Sequence, residues 1–534
     1  MVSPVDVSEG KAAPVRYGGR SLALAVLCTV LFLTFLDNTI VSIVLGNVQS
    51  QLHGGVTALQ WIVGAYALTF AGAMLAFGMV GDEFGRKRVM IIGVVIFCCG
   101  SVLSALAPNP AVLIAGRAVM GFGAAASEPG TLSMIRHIYS DERSRNRALG
   151  VWTAVSGLAL ALGPVVGGAL VGIWDWRAIF WFNVIFGLLA LAGILAFLPE
   201  NSDPDAGRVD IAGTLLISAA ISALAFAVIT AESSGFDAPV VIGLLCLVAA
   251  SVGAFFWWEG RAPHPLLDLR FFRVPRFLTA NVVAFCAYFA TFAVFFFTAL
   301  YLVEVAGDSG YQIAEVFLPM TVLMVLASLL AGRWVTAAGP RWSFFIGCLL
   351  FSTGLLLTSL TIDPHPAYWP LAAALSLAGI GVGSSVVPTT SSALAAVPPE
   401  RSGMAASAAN TSREVGAVTG VAVLGALVAS RLEADLISRM TAIGVPKIYW
   451  TVVINAVETG TVPANTSKAP STGYNSKEVQ DVIQAAYGAF QSGLHAALYL
   501  AAILVLAAGV FSFIVLEPRR RRASPAADPE SPPA

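Results

Sequence analysis

Long apolar runs recur along the chain, and short polar segments separate most of them. A helix needs roughly 20 apolar residues to cross the hydrocarbon core of a bilayer. The first run, 21–45, is too long for the apolar region of a signal peptide, and no small-residue cleavage site follows it. We therefore predict fourteen membrane-spanning helices. They cover residues 21–45, 58–80, 89–107, 111–135, 148–172, 178–198, 211–231, 239–258, 278–303, 313–336, 343–361, 367–392, 404–429 and 494–516.

Basic residues are sorted between alternate connections of these predicted helices. With the N-terminus inside the cell, 22 of the 30 lysines and arginines fall in cytoplasmic segments and six in outer segments. An excess of basic residues on the cytoplasmic side is typical of membrane proteins. An odd number of spans would place the basic run 519–522 on the outer side. The pattern therefore predicts an even number of spans, with both termini cytoplasmic.

Composition agrees with a membrane protein and excludes several classes of function. Charged residues make up 11% of the chain, against roughly 25% in a soluble domain. The six cysteines lie in apolar runs, where packing is their usual role, and no two of the five histidines have the spacing of metal ligands. No phosphate-binding loop of the P-loop type is present. We predict no metal, no cofactor, no nucleic-acid partner and no direct use of ATP.

Short motifs repeat along the chain at an offset of about 255–260 residues. Gly78 and Gly85 bracket a turn between two predicted spans, and Gly332 and Gly339 have the same spacing. The triplet Gly-Phe-Gly at 121–123 recurs as Gly-Val-Gly at 381–383. Two related bundles with a site between them near the bilayer midplane are typical of alternating-access transporters. The sequence therefore predicts an all-α membrane protein built from two six-helix bundles.

The repeat divides the chain into six parts, with two additional helices inserted between the bundles. We predict a cytoplasmic tail (1–20), an N-terminal six-helix bundle (21–200), the two inserted helices (201–260), a cytoplasmic linker (261–277), a C-terminal six-helix bundle (278–516) and a basic, then disordered, cytoplasmic tail (517–534). Within the C-terminal bundle, the polar segment 430–493 is predicted to be a long outer loop, in which residues 476–492 could form a short amphipathic helix. Two interpretations of this loop are open, a lid and a plain surface loop.

Five motifs, at residues 36–41, 78–88, 113–121, 157–168 and 174–183, resemble in order and spacing those of the major facilitator superfamily. Residues 78–88 resemble its cytoplasmic signature, and residues 113–121 resemble its fourth-helix motif. Residues 157–168 resemble the antiporter motif of its fifth helix. Residues 36–41 and 174–183 resemble segments of the fourteen-span drug:proton antiporter family within it. The resemblance implies the major facilitator fold and the export of hydrophobic drugs or antibiotics in exchange for protons, by alternating access.

The cytoplasmic signature and the antiporter motif suggest conformational roles rather than chemistry. A charged latch at the cytoplasmic end would close one state of the transporter, although basic residues there also simply anchor the topology. Its residues are Gly78, Asp82, Gly85, Arg86 and Lys87. Glycines in the fifth span permit close packing of a neighbouring helix, and this contact could be a seal, a hinge or a generic helix contact. The proline bends the helix. These residues are Gly157, Gly163, Pro164, Gly167 and Gly168.

Charged residues inside the predicted spans are the candidate proton-coupling groups, because charge within a membrane is costly and tends to be functional. The candidates are Asp37, Glu128 and Glu414, with Arg117 and Arg413 as charge partners. Structural hydrogen bonding is the alternative for each acid. A stripe of phenylalanines in span 9 includes two candidate cavity residues, Phe289 and Phe292, for which packing is the alternative.

Other functions remain open beside drug export. One is the export of a single endogenous metabolite, lipid or siderophore, and another is a membrane sensor or scaffold without transport. An enzyme is not expected, since no nucleophile and base are paired in a recognisable motif. We expect a monomer in the bacterial inner membrane, with a small hydrophobic substrate, protons and the lipid bilayer as partners. A cationic substrate is one option.

Overall fold

The computed structural model of the chain is helical throughout the residues that it describes. These are residues 17–52, 56–200, 210–235, 237–262, 265, 267–306, 310–363, 367–398, 401–445, 450 and 476–516. They contain fourteen α-helices, one 3-10 helix at Leu269–Arg273 and no strand. The α-helices are α1 (Tyr17–Leu52), α2 (Val56–Phe84), α3 (Arg86–Ala105), α4 (Pro110–Ile138), α5 (Glu142–Ile173), α6 (Ala178–Phe197), α7 (Ile211–Ser234), α8 (Pro239–Glu259), α9 (Pro275–Glu304), α10 (Gly310–Ala338), α11 (Pro340–Thr361), α12 (Tyr368–Ala395), α13 (Ser402–Ala442) and α14 (Ser476–Val515).

Each of the fourteen predicted spans overlaps one of these helices, so the prediction of an all-α membrane fold is confirmed. In the described parts, eleven helices are long and apolar enough to cross a membrane. Helix α2 makes a twelfth if it is counted across its bend of 48° between Met74 and Ala76. The number of fourteen membrane crossings stays a prediction.

A tight turn between two helices occurs at corresponding positions of the repeat in the two halves of the chain, and each turn contains a glycine. Gly85 separates α2 from α3 with a φ angle of 100°, and Gly339 separates α10 from α11 with a φ angle of 82°. Residues with a side chain rarely adopt this backbone conformation, whereas glycine does so at little cost. We call α1–α6 the N-terminal half and α9–α14 the C-terminal half.

The halves meet mainly along two helix pairs, with smaller contacts of α4 with α13 and of α5 with α12. Helix α5 packs against α10, and α2 packs against α13, so each pair contains one helix from each half. The two inserted helices, α7 and α8, pack against each other, and α7 also packs on α2. They therefore stand beside the N-terminal half, and the interface between the halves is built mainly by the other twelve helices.

Helix α5 begins at an Asp cap just outside the membrane-spanning segment. The carboxylate of Asp141 accepts a hydrogen bond from the Ser144 backbone N–H over 2.9 Å. Such a bond satisfies one of the unpaired donors at a helix N-terminus. The same bond lowers the pKa of Asp141, which is exposed to solvent, from its ordinary value of 3.8.

The structure corrects the bounds of the predicted outer loop at 430–493. Helix α13 continues to Ala442 and helix α14 begins at Ser476, so both ends of that segment are helical. An apolar stripe explains the extension, because residues four apart share one face of a helix. The stripe packs against small residues of α14, and the members of this cluster are Leu432, Leu436, Met440, Ala485, Ala486 and Ala489. Residues 446–449 and 451–475 lie outside the described part of the chain.

Candidate functional site

The structure places the charged residues predicted within the spans inside the protein, with Asp37 and Arg117 paired within the N-terminal half and the other three at the interface between the halves. Asp37 lies on α1, Arg117 and Glu128 on α4, and Arg413 and Glu414 on α13. The side chain of Tyr66, on α2, lies within electrostatic range of Asp37, Arg117 and both glutamates. Groups that are far apart in the sequence therefore form a single charged cluster inside the protein.

Asp37 and Arg117 form a fully buried ion pair within the N-terminal half. One carboxylate oxygen of Asp37 accepts from the Arg117 Nη1, and the other accepts from the Asn183 Nδ2 over 2.7 Å. The Arg117 Nε donates to the Ile62 carbonyl oxygen over 3.0 Å. The sequence left the partner of Asp37 open, and the structure assigns it. Because both oxygens of Asp37 have strong donors, its charge is compensated where it stands.

The ring of Tyr66, on α2, packs against the guanidinium of this ion pair. Its ring centroid lies 4.5 Å from the central guanidinium carbon of Arg117, which is a cation–π distance. Its hydroxyl donates to the Thr34 carbonyl oxygen over 3.2 Å. Helices α1, α2, α4 and α6 all contribute to the surroundings of Asp37, so the pair joins most of the N-terminal half.

Glu128 has a different environment, although it is also buried, with 2% of its surface exposed. Its Oε1 accepts from the Asn410 Nδ2 over 3.5 Å, at the long end of the hydrogen-bond range. Its Oε2 has no hydrogen-bond partner among the described residues. No salt bridge to Glu128 occurs in the described part of the chain, so this carboxyl is less compensated than that of Asp37.

Arg413 is held by residues of the C-terminal half. Its Nη1 donates to the Asn410 Oδ1 over 2.9 Å, and its Nη2 donates to the Thr390 Oγ1. The central carbon of the guanidinium lies 5.6 Å from the ring centroid of Trp152 and 5.6 Å from that of Tyr288. One of these aromatic side chains comes from each half, so Arg413 occupies the space between the halves.

Glu414 follows Arg413 on α13 but has different neighbours. It is partly buried, and it lies within electrostatic range of Tyr66, Glu128 and Tyr288. Adjacent residues on a helix point to different sides of it, about 100° apart. Glu414 therefore joins the charged cluster from α13 without sharing the hydrogen bonds of Arg413.

The predicted cytoplasmic latch connects the two halves through Arg86. Its Nη2 lies 2.8 Å from the Asp82 Oδ1 and also donates to the Ser402 Oγ over 2.9 Å. Asp82 and Arg86 belong to the N-terminal half and Ser402 begins α13, and all three residues are buried. Gly85 supplies the turn between them, and Gly78 is buried in α2.

Two further contacts join the halves at the same end. Arg136 donates to the Leu394 carbonyl oxygen and, over 2.8 Å, to the Val397 carbonyl oxygen. The Asn146 Nδ2 donates to the Thr336 Oγ1 over 3.3 Å. The predicted cytoplasmic end of the interface is therefore closed in this structure by contacts from α3, α4 and α5.

Lys87 lies beside this latch but serves its own half. Its Nζ donates to the carbonyl oxygens of Leu195 and Leu198, over 3.1 Å and 2.8 Å. These are carbonyls at the C-terminal end of α6, where a helix lacks its own donors. The described contacts of Lys87 thus tie α3 to α6 rather than one half to the other.

The glycines of the antiporter motif face two different helices. A Cβ atom added to Gly163 would collide with Thr39 of α1 and would lie 3.1 Å from the Ile40 backbone nitrogen. A Cβ atom added to Gly157 would collide with the terminal methyl of Met324, on α10 of the C-terminal half. Gly167 is buried, whereas Pro164 and Gly168 fall outside the residues whose side-chain surroundings are described.

The aromatic stripe on α9 is described in part. Phe289 is 4% exposed and its ring centroid lies 6.1 Å from that of Phe285. Its backbone is so close to Gly420 on α13 that a Cβ atom there would lie 2.8 Å from the Phe289 carbonyl carbon. These contacts favour the packing alternative for Phe289. The side chain of Phe292 lies outside the described ones.

The comparison with known protein families agrees with this architecture. A model of the major facilitator superfamily matches residues 27–421 of the chain. The chain belongs to the major facilitator superfamily. Membership makes it a transporter rather than an enzyme, and it confirms the family that the five sequence motifs indicated.

Individual major facilitator relatives cover most of the chain. The multidrug resistance protein Stp of Mycobacterium tuberculosis is 34% identical over 406 residues, which are 76% of this chain and 75% of that protein. The methylenomycin A resistance protein of Bacillus subtilis is 33% identical over 408 residues, which are 76% of this chain and 87% of that protein. The crystal structure of the human organic anion transporter MFSD10 has a TM-score of 0.59 at 16% identity, covering 94% of this chain and 100% of that one. The last likeness concerns the fold alone.

Several residues of this major facilitator site were missed by sequence reasoning. They are Tyr66, Trp152, Asn183, Thr390 and Asn410. Asn410 carried a usable signal, since it precedes Arg413 by three residues and so shares a helix face with it. Asn183 ends the segment 174–183 that resembles the antiporter family, but nothing in the sequence indicates its contact with Asp37. The others lie on helices distant in sequence from their partners, and nothing local in the sequence indicates the contact.

Proposed function

We propose that this major facilitator protein exports hydrophobic drugs or antibiotics from the cell in exchange for protons. The observation that carries the proposal is the environment of Glu128. It is a buried carboxyl at the interface between the halves, with one oxygen lacking a hydrogen-bond donor and no salt bridge among the described residues. A carboxyl in such a position can hold a proton in one state and release it in another.

In this proposal the proton-carrying group is Glu128 rather than Asp37. Asp37 is compensated by the guanidinium of Arg117 and the amide of Asn183, and separating a buried pair leaves an uncompensated charge. We therefore assign Asp37 and Arg117 a structural role inside the N-terminal half. Glu128 faces Asn410 of the C-terminal half, where a change in the contact between the halves alters its surroundings directly.

The balance of charge favours a cationic substrate. Arg117 neutralises Asp37, which leaves Glu128 and Glu414 as two acids facing one cation, Arg413. With both glutamates ionised the cluster has an excess negative charge, which either a proton or the positive group of a drug can neutralise. Competition between a proton and a cation for the same acids produces exchange.

Alternating access requires the closed end of the interface to open. In the proposal, the hydrogen bond from Arg86 to Ser402 breaks in the state that takes up substrate from the cytoplasm. The contacts of Arg136 and Asn146 with the C-terminal half separate in the same movement. Both termini lie in the cytoplasm of a bacterial cell in this proposal, so substrate enters from the side where these contacts lie.

Reconstituted vesicles test proton exchange through Glu128. The full chain is placed in liposomes with a pH-sensitive dye inside, and ethidium is added under an imposed pH gradient. We expect Glu128→Gln to abolish the proton flux that ethidium triggers, because glutamine cannot bind the proton. Glu433→Gln, which changes an exposed acid on the extension of α13, is the matched control. Proton flux that persists in Glu128→Gln would refute the role of Glu128.

A transporter dedicated to one antibiotic is the second candidate. The name of the Bacillus subtilis relative refers to a single compound, methylenomycin A, whereas that of Stp refers to many drugs. Efflux from cells that express this chain, measured for a panel of antibiotics and dyes, separates the two. Export of several unrelated compounds supports the multidrug proposal, and export of one alone supports the dedicated transporter.

A further inference from the structure

Asn410 is a single neutral side chain that contacts the charged groups of both halves. Its Nδ2 donates to the Glu128 Oε1 over 3.5 Å, and its Oδ1 accepts from the Arg413 Nη1 over 2.9 Å. The residue is 2% exposed. Of the two residues that it connects, one retains an oxygen and the other a nitrogen, Arg413 Nε, without a hydrogen-bond partner in the described part of the chain.

The charges of the two neighbours determine which way the amide of Asn410 points. An ionised carboxylate only accepts hydrogen bonds, and a guanidinium only donates them. The amide must therefore turn its NH2 group to Glu128 and its carbonyl oxygen to Arg413. The opposite orientation would place two acceptors together on one side and two donors together on the other.

Protonation of Glu128 removes this constraint. A neutral carboxyl has an O–H group that can donate to the amide oxygen of Asn410. If the amide turns to accept that bond, its NH2 group faces the guanidinium of Arg413, and the bond from the Arg413 Nη1 is lost. Arg413 then retains the contact with Thr390 and is freed from the residue that holds it beside Glu128.

We propose that Asn410 is a positioning residue that couples proton binding on Glu128 to the release of Arg413. The inference rests on the proposed function, because it needs Glu128 to bind and release a proton. Arg413 lies between Trp152 of the N-terminal half and Tyr288 of the C-terminal half, so its release loosens a contact between the halves. No covalent bond changes, and the proton stays on the carboxyl of Glu128.

Other ionisable groups face Glu128 from the helices around it, and they set the background for any change in pH. They are Arg413 and Glu414 on α13, Tyr66 on α2 and Tyr288 on α9. Substitution of Asn410 removes none of these four groups. A change in titration after substitution of Asn410 therefore reports the loss of the amide, which includes both its bond to Glu128 and its bond from Arg413.

Infrared difference spectroscopy tests the inference on the full chain in lipid nanodiscs. The stretching band of a protonated carboxyl that disappears in Glu128→Gln reports the titration of Glu128. We expect Asn410→Ala to move the midpoint of this band to higher pH by about one pH unit, which corresponds to the loss of roughly one hydrogen bond to a charged group. Thr411→Val is the matched control, because the neighbouring hydroxyl is buried and has no described hydrogen-bond partner. Its midpoint should stay where it is in the unmodified chain.

A second variant, Asn410→Asp, tests the same inference if Asn410→Ala does not fold. Asn410→Asp keeps an acceptor for Arg413 but has no donor for Glu128, and its charge adds to the effect, so the midpoint should move further in the same direction. An unchanged midpoint, with transport slowed equally at every pH, would show that Asn410 is only structural. If no carboxyl band depends on Glu128 and proton flux in vesicles also persists in Glu128→Gln, the proposed function itself fails. Flux lost in that variant with an unmoved band in Asn410→Ala overturns the inference alone.

Discussion

Arg86 of α3 donates a hydrogen bond to the hydroxyl of Ser402 at the start of α13, 316 residues away in the chain. Its guanidinium is held at the same time by Asp82, four residues earlier. A serine hydroxyl of one half thus accepts a hydrogen bond from a buried guanidinium of the other half. The contact closes one end of the interface, and breaking it leaves the cation with fewer acceptors.

Substitution of Ser402 should open this end of the interface. Ser402→Ala removes the acceptor for a buried charged donor, which typically costs about 1–3 kcal/mol. We expect faster hydrogen–deuterium exchange at the first turns of α3 and α13. Ser144→Ala is the control, since Ser144 also lies at the start of a helix but its described hydrogen bonds go to Asp141 in its own half. Equal exchange in both variants would show that the serine does not hold the halves together.

Substitution of Asp37 should affect stability before it affects proton exchange. Asp37→Asn leaves the guanidinium of Arg117 buried without its counter-ion, which typically costs about 3–5 kcal/mol. We expect a lower thermal unfolding midpoint in detergent, partly restored in the double variant with Arg117→Gln. Glu128→Gln should unfold close to the midpoint of the unmodified chain. If Asp37→Asn keeps that midpoint and still loses proton flux, Asp37 rather than Glu128 is the proton site.

Two glycines of α5 should differ in their tolerance of a methyl group. Gly163→Ala places a Cβ atom against the branched side chain of Thr39 and the backbone of Ile40, which have little room to move. Overpacking of this kind costs about 1–3 kcal/mol. Gly157→Ala meets only the flexible end of Met324 and should be milder. The measurement is the unfolding midpoint of each variant, and a larger loss for Gly157→Ala would contradict the assigned contacts.

The cap of α5 should weaken in acid. The hydrogen bond from Ser144 lowers the pKa of Asp141 in the folded protein. A lowered pKa means that the cap contributes stability above the ordinary value of 3.8 and loses it as the pH falls through the folded value. Asp141→Asn keeps an acceptor without the charge. Protection against hydrogen exchange at the first turn of α5, relative to the intrinsic exchange rate at each pH, should fall in acid more in the unmodified chain than in this variant, and identical pH profiles would exclude the carboxylate as the cause.

The helices of this protein were predictable because their signal is local. An apolar run of sufficient length specifies a span through the cost of placing backbone and side chains in lipid. The turn at Gly85 was also predictable, since few residues other than glycine adopt a positive φ angle. The helix at 476–492 was predictable from its amphipathic pattern, whereas the helical extension at 430–442 was not, because the polar residues there mask an apolar stripe that is stabilised by packing on the partner helix.

The sequence by itself determined that this is a two-part membrane transporter of the major facilitator type, with acids at Asp37, Glu128 and Glu414. Only the tertiary structure decided which groups surround each acid. The pairing of Asp37 with Arg117 spans 80 residues, and the contact of Glu128 with Asn410 spans 282. The energy of a buried charge depends on which groups surround it. Those groups come from helices whose neighbours are set by packing across the whole bundle, which no local pattern in the sequence encodes.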